Sequence, residues 1–561
     1  VSASANVALL FAEEARQRPA QLALAVGHRN GFEECTYAEL DARAEAYARG
    51  FSALGFRRGD RTLFLVRPSV KFYAMVLGLL KIGAIPVVVD PGMGIGNVLK
   101  CIAQIRPRTM VALSLVHAIR RFAPSSFSTV EVAVTVGRRW FWGGHTEAEA
   151  FQPSAEAFPI QTFTASDEAF IVFTSGSTGT PKGVSFRHGM FAGATQILAT
   201  HAGLGAGRCS METFAPFVPF HLALGETVVV PFMNLSKPAT ADPRHIAAAI
   251  AKYRPQTAFA SPVVLRKLLE YCRETGTKLD SIDTLLTGVA PVPGELHRGF
   301  REVLRSDAQV SVNYGATEAL TVSSIRTDEV LGETWEATTR GAGYCVGRPY
   351  PELDVRIIRV SDDPIRAWNP SLELPVGEIG EVIVRGAVAS PEYKDAPAAN
   401  EASKIKAGES FFHRMGDLGY FDERGRLWFC GRKAHRIETS EGMLPNLAVE
   451  GIFAEHVGVR RVALIAGPGP RGQQTPVLWF EEESGLRADP PLPTGQQLER
   501  EVLALADGTR WAGRVKHAVR YPGKFPMDAR HNSKIRYEEI MAFSQKRQNL
   551  LPSNVAGGGA R

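Results

Sequence analysis

The sequence has little of what would make it a disulfide-stapled, metal-stapled or membrane-spanning protein. Its six cysteines (35, 101, 209, 272, 345 and 430) are scattered singly through 561 residues. With no CxxC pair and no compact Cys/His set, zinc and disulfide frameworks are poor readings, and isolated thiols in a reducing compartment fit better. The opening stretch, Val1 to Asn6, lacks a basic segment followed by an apolar one, so it does not read as a secretion signal. The longest apolar run, Phe72 to Val89, is broken by Lys81, Gly83 and Pro86. A helix followed by a buried strand explains it better than a membrane span. There is no internal repeat. No aromatic-rich basic stripe points to nucleic acid, and the net charge of +6 is modest for this length. These absences lead to the expectation of a cytoplasmic enzyme with no transmembrane segment and no nucleic-acid partner.

What is present is core-forming text. Hydrophobic residues make up 45% and charged residues 22%. Such a chain has material for two or more domains and little for extended disorder. Helical and strand-like segments alternate. Asp41 to Leu54 reads as an amphipathic helix ending at Gly55, Arg61 to Val66 as a strand, Ser69 to Lys81 as a helix and Ala84 to Val89 as a buried strand. This alternation predicts an α/β fold of layered units with largely parallel sheets. Leu353 to Val360 and Ile379 to Arg385 add a β-rich part. Leu427 to Arg432 reads as a strand ending at a turn, with a smaller α/β unit after it. The spacing places a domain boundary at 431/432, a second domain over 432–548 and a loose tail over 549–561.

The strongest local signal follows the apolar strand Phe170-Ile-Val-Phe173. It is Thr174-Ser-Gly-Ser-Thr-Gly-Thr-Pro-Lys-Gly183. Small hydroxyl residues and glycines let backbone N–H groups and Oγ atoms approach phosphate oxygens, and Lys182 adds a positive charge. A P-loop would need a glycine where Pro181 stands and a hydroxyl where Gly183 stands, so this is a different phosphate loop. Gly92-Met-Gly-Ile-Gly96 superficially resembles a dinucleotide turn, but it lacks the third glycine and reads as a tight turn.

At this loop the sequence resembles the adenylate-forming superfamily of acyl- and aryl-CoA ligases, peptide-synthetase adenylation domains and luciferases. Further motifs follow in the same order: Thr287-Gly-Val-Ala-Pro291, Asn313-Tyr-Gly-Ala-Thr-Glu318, Gly377-Glu-Ile-Gly-Glu381, Met415-Gly-Asp417, Gly419-Tyr-Phe-Asp422 and Gly431-Arg432. The resemblance implies ATP as substrate and Mg²⁺ as cofactor. Thr174, Ser175, Gly176, Ser177, Thr178, Gly179 and Lys182 would hold phosphates. Gly288, Ala290, Asn313, Tyr314, Asp417 and Arg432 would hold adenine and ribose. Thr317 would bond the α-phosphate and Glu318 would carry the metal through hard oxygen ligands. Phe525-Pro-Met-Asp-Ala-Arg-His-Asn-Ser-Lys534 resembles the terminal lysine motif, which makes Lys534 the catalytic lysine of a small mobile lid.

Within the superfamily several letters depart from ordinary CoA ligases. Asn532-Ser-Lys534 replaces Ser-Gly-Lys, Ala434 stands at the hinge position and Met415 replaces the common Thr. These departures, with Gly341 to Gly347 and His413 to Asp417, are similar to the β-lactone synthetases of bacterial long-chain olefin biosynthesis. That resemblance implies adenylation of a long-chain 2-alkyl-3-hydroxy acid, then attack of its own hydroxyl on the acyl carbonyl. It also suggests association with pathway enzymes such as a thiolase or decarboxylase. A long-chain acyl-CoA or acyl-AMP ligase is the alternative, and a non-catalytic nucleotide sensor is a third reading. Phe214 to Phe220 is aromatic text fit for an acyl channel or for plain core. Phe220 and His221 are the candidates there, and no base for the hydroxyl proton is named.

Overall fold

The computed structural model describes residues 6–174, 181–454, 456–468, 474–483, 495–528 and 534–546. Two large sheets organise the chain. In the seven-stranded one the order is His145–Thr146, Val132–Val136, Thr109–Leu113, Arg61–Leu65, Ile85–Val88, Glu168–Thr174 and Lys182–Arg187. Every pairing is parallel except the last. The C-terminal ends of the parallel strands therefore share one edge, where α/β sheets place their ligand sites.

The fourteen-stranded sheet has two characters. Leu22–His28, Thr227–Val230, Cys209–Glu212, Thr257–Phe259, Thr284–Gly288 and Gln309–Ala316 run parallel. Beyond them the sheet turns antiparallel through Ala319–Arg326, Tyr344–Pro349, Leu427–Arg432 and Ser410–Phe421 to Gly380–Arg385 and Asp354–Ile358. That half is the β-rich part expected from the sequence. The chain after Arg432 adds the small hairpin Ile437–Thr439 with Gly442–Leu444. It then forms a three-stranded sheet of Val459–Pro468, Gln474–Glu482 and His517–Arg520 with flanking helices.

Local chemistry explains where elements start and stop. The helix read as Asp41 to Leu54 spans Tyr37–Ala53, because Thr36 and Glu39 form a reciprocal capping box that begins it four residues earlier. The helix Val70–Ile82 starts where the Ser69 hydroxyl accepts from the Phe72 N–H, and it stops at Gly83, whose φ of 77° suits glycine. Gly92 sits in a single 3₁₀ turn, Pro91–Met93, capped by the Asp90 carboxylate. The six cysteines are free.

One apolar cluster spans the expected 431/432 boundary. Ile325, Cys345, Leu418 and Trp428 pack with Leu444, Val449, Ile452 and Trp511. The Trp511 indole N–H donates to the Gly341 carbonyl over 2.8 Å. A Cβ built on Gly341 would fall 2.5 Å from the indole Cδ1, so the ring occupies the space a side chain there would need.

Candidate active site

A cleft of about 3460 Å³ is lined by residues of both large sheets and of the C-terminal unit, and its lining divides into a polar arm and an apolar arm. One arm is lined by the residues the motifs singled out. Thr174 and Lys182 are register partners at the ends of the phosphate loop, and both line the cleft. Lys182 opens a strand, Lys182–Arg187, whereas the Lys of a P-loop opens a helix. Ser175, Gly176, Ser177, Thr178 and Gly179 lie outside the described residues.

Gly288 and Asn313 are cross-strand partners, and a Cβ on Gly288 would stand 2.6 Å from the Asn313 carbonyl oxygen. Only glycine fits that approach. Val289, between Gly288 and Ala290, holds a φ of 74°, which is rare for a β-branched residue. Backbone held this way concentrates at functional sites. Tyr314 lies against Phe429 with ring centroids 5.7 Å apart, and its hydroxyl donates to Asp417 Oδ2 over 2.7 Å. Arg432, the register partner of Asp417, brings Nη1 to 2.8 Å from Oδ1. That approach is ionic rather than an aligned hydrogen bond, so Oδ1 remains a buried acceptor with no aligned donor. Burial pushes the Asp417 carboxyl up, while Arg432, Tyr314 and Lys534 oppose the shift. Lys534 lines the cleft, and its amide donates to Asp528 Oδ1 over 2.9 Å.

Glu318 anchors a group that the motifs did not announce. The Tyr393 hydroxyl donates to Glu318 Oε1 over 2.9 Å. The ammonium groups of Lys182 and Lys404 stand 5.0 and 5.5 Å from the Tyr393 ring centroid, within cation–π range. Lys404 also donates to the Ser390 carbonyl and to His413 Nδ1, the latter over 2.9 Å. Burial drives Lys404 down to about 7 against the pull of Glu318 and Glu392, and burial with Lys404 drives His413 well down. Lys404 and His413 meet because their strands pair at that register. No linear motif carries that signal.

The other arm is apolar. Phe191 and Phe220 stack at 4.3 Å and 18°, and Phe217 meets Phe259 edge-on at 4.8 Å. All four line the cleft. Set into this wall is a buried carboxylate–imidazole–carboxylate line. His221 Nδ1 is 2.6 Å from Glu226 Oε2, and Nε2 is 2.8 Å from Glu212 Oε1. The Ser210 hydroxyl and the Gly205 amide complete the Glu226 end. Neither Glu212 oxygen accepts an aligned hydrogen bond, although the side chain is buried and lines the cleft. Burial alone would lower His221, but Glu212 and Glu226 outweigh it and hold its pKa near 10. Burial raises Glu212; His221 opposes that rise and, against burial, depresses Glu226. Sequence reasoning named Phe220 and His221 and missed Glu212 and Glu226, which come into line only when Cys209–Glu212 and Thr227–Val230 pair.

Sequence comparison agrees with this geometry. The family described as AMP-binding enzyme matches residues 11–394. The chain belongs to this family. As an AMP-binding enzyme it is an adenylate-forming ligase, and the family uses ATP. Two relatives extend over nearly the whole chain. The olefin beta-lactone synthetase of Stenotrophomonas maltophilia (strain K279a) is 39% identical, with 96% of this chain and 98% of that protein covered. The protein of the same name from Xanthomonas campestris pv. campestris is 38% identical, covering 97% and 98%. Among solved structures, the amide bond synthetase McbA from Marinactinospora thermotolerans superposes with a TM-score of 0.78 at 22% identity, covering 96% of this chain and 99% of that one. O-succinylbenzoate Coenzyme A synthetase from Bacillus subtilis, in complex with ATP and magnesium ion, gives 0.73 at 19%, covering 95% and 98%. At these identities the structures establish the shared fold. Among the described residues, no helix is long and apolar enough to cross a membrane.

Proposed function

We propose that this AMP-binding enzyme is an ATP- and Mg²⁺-dependent β-lactone synthetase acting on a long-chain 2-alkyl-3-hydroxy acid. The observation that carries the reading is the two-armed cleft. Its polar arm holds the adenylate motifs, and its apolar arm holds an unsaturated carboxylate among phenylalanines. The relatives named olefin beta-lactone synthetase support it.

In the first step the substrate carboxylate attacks the α-phosphorus of ATP and pyrophosphate leaves. Asp417 and Arg432 take the ribose side, with the open Oδ1 of Asp417 as acceptor, and Tyr314 takes adenine. Lys534 offsets charge on the α-phosphate, where Thr317 donates. The polar arm fits Mg²⁺: Glu318 offers a hard carboxylate beside Lys182. Among the described residues no group of three or more His, Cys, Asp or Glu forms a cage. One carboxylate with substrate phosphates is how Mg²⁺ is commonly held. Bound there, it would neutralise phosphate charge. The segment after Arg432 would act as the lid that carries Lys534.

In the second step the β-hydroxyl oxygen attacks the acyl carbonyl, the carbonyl carbon–phosphate oxygen bond breaks and AMP leaves. Glu212 takes the hydroxyl proton. Burial raises its pKa and so makes the carboxylate a better proton acceptor than a solvated one, while His221, itself held by Glu226, favours the ionised form against that burial. Holding hydroxyl and carbonyl together makes ring closure intramolecular. Its product suits a decarboxylating enzyme, and a carbon–carbon bond-forming thiolase would supply the skeleton.

The test is a matched pair of long-chain acids, one with and one without the 3-hydroxyl, each given ATP and Mg²⁺ with or without CoA. Lactone by mass spectrometry from the hydroxy acid alone, independent of CoA, is the expected result. A CoA thioester from both acids, with no lactone, would assign the chain to the long-chain acyl-CoA ligases instead.

A further inference from the structure

One stretch of this protein combines positive charge with exposed apolar surface. Residues 91–145 carry seven Lys or Arg and a single acid, Glu131. Their net charge is +6. The same stretch holds much of the exposed apolar surface. Of eleven large apolar side chains exposed among the described residues, five lie here: Ile95 (58%), Leu115 (71%), Phe122 (85%), Trp140 (58%) and Phe141 (73%).

The fold gathers these groups on one face. The helix Ser114–Phe122 follows the strand Thr109–Leu113, and the 137–144 loop follows the neighbouring parallel strand Val132–Val136. The Ser114 hydroxyl donates to the Arg138 carbonyl over 2.6 Å, and Trp142 stacks on His117 at 5.8 Å and 16°. Helix and loop are thereby one surface. His117 is buried, while Leu115, Ile119 and Phe122, spaced at four and three residues, make an apolar stripe with both ends exposed. Arg121, Arg138 and Arg139 are exposed beside it. An amphipathic helix with an outward apolar stripe and flanking arginines is the composition of an interfacial element. This face also belongs to the sheet edge from which the phosphate loop departs. Ile95, Leu115, Val116 and Ile119 line the same cleft as Lys182 and Asp417, so the cleft reaches this surface.

We propose that the face built from Ser114–Phe122, Ile95 and the 137–144 loop docks on an anionic lipid bilayer, placing the cleft mouth at the acyl layer. The run Arg138-Arg139-Trp-Phe-Trp142 is a basic aromatic cluster that the linear reading passed over, because it gains its apolar partners only through folding. Its surroundings favour lipid over nucleic acid. Ile95, Leu115 and Ile119 are aliphatic and have nothing to stack on, whereas bases are bound by aromatic and cationic groups. Arginines near the surface supply the attraction to anionic headgroups, and the phenylalanines and tryptophan supply insertion.

The experiment is flotation of the full-length protein with phosphatidylcholine vesicles, with and without phosphatidylglycerol, across a salt series. Binding to the anionic vesicles that falls with salt is expected, with little to phosphatidylcholine alone. Replacing Arg121, Arg138 and Arg139 together by Gln should weaken binding about a hundredfold. F122S with F141S should weaken it without removing the salt dependence. Both variants should release pyrophosphate from ATP and a short water-soluble acid as the parent does, which checks folding. Absence of binding to anionic vesicles overturns the proposal. So does binding that both variant sets leave intact, or binding that salt does not weaken in the unmodified protein. A protein or a second copy captured through this face, without vesicle affinity, overturns it as well.

Discussion

The two arms of the cleft solve opposite problems. In the polar arm, side chains answer one another: Tyr314 with Asp417, Asp417 with Arg432 and Tyr393 with Glu318. In the apolar arm a charged line, Glu212–His221–Glu226, is embedded among aromatic rings, and at its end Glu212 Oε2 has no hydrogen-bond donor. A buried polar group without a partner costs free energy unless something arrives to satisfy it. Under the proposed function, the comparison separates an arm preorganised for a nucleotide from an arm whose open acceptor would receive the substrate hydroxyl.

The largest test of that division is Glu212→Gln. Under the β-lactone reading, ring closure should fall by about 10²- to 10⁴-fold. Acyl-adenylate should accumulate and pyrophosphate release should persist, as read by quenched-flow mass spectrometry. Equal loss of both steps would mean that Glu212 serves folding instead. Lys534→Ala should do the reverse, lowering pyrophosphate release by about 10²- to 10³-fold while leaving cyclisation of supplied acyl-adenylate intact. A smaller effect is expected from Phe220→Ala. It should cost about 3–5 kcal/mol of stability by denaturant titration and raise KM for long-chain acid, with KM for ATP unmoved.

The smallest effect lies in the C-terminal unit, at Glu450. Its carboxylate accepts from the Leu464 amide and the Tyr537 hydroxyl, each over 2.7 Å, yet burial raises its pKa to about 8. The folded protein therefore holds this proton more tightly than the unfolded chain, whose carboxyl titrates near 4.5. The resulting stabilisation is full below about 4.5 and is lost as pH rises through about 8. Melting temperature should decline over that window, and Glu450→Gln should flatten the decline.

That the motif residues of the polar arm would come together was legible because they lie in short contiguous motifs, some with a backbone reason, such as Gly288 beneath the Asn313 carbonyl. The alternation of helix and strand was legible from periodicity, and the strand Leu427–Arg432 was read to the residue. What escaped depends on register. Lys404 meets His413, and Glu212 comes into line with His221 and Glu226, through pairings that no linear spacing encodes. The early start at Tyr37 escaped for a local reason, since the Thr36–Glu39 capping box precedes the apolar pattern it supports.

Trp511 adds a kinetic corollary. Any opening that lifts the C-terminal sheet from Gly341 must hydrate an indole now buried and hydrogen-bonded there. Under the proposed function, the dwell time of AMP would then depend on a side chain outside the lining of the cleft. With the segment after Arg432 as the proposed lid, a bulkier residue at Gly341, by evicting that ring, would lower the cost of its opening and shorten that dwell time.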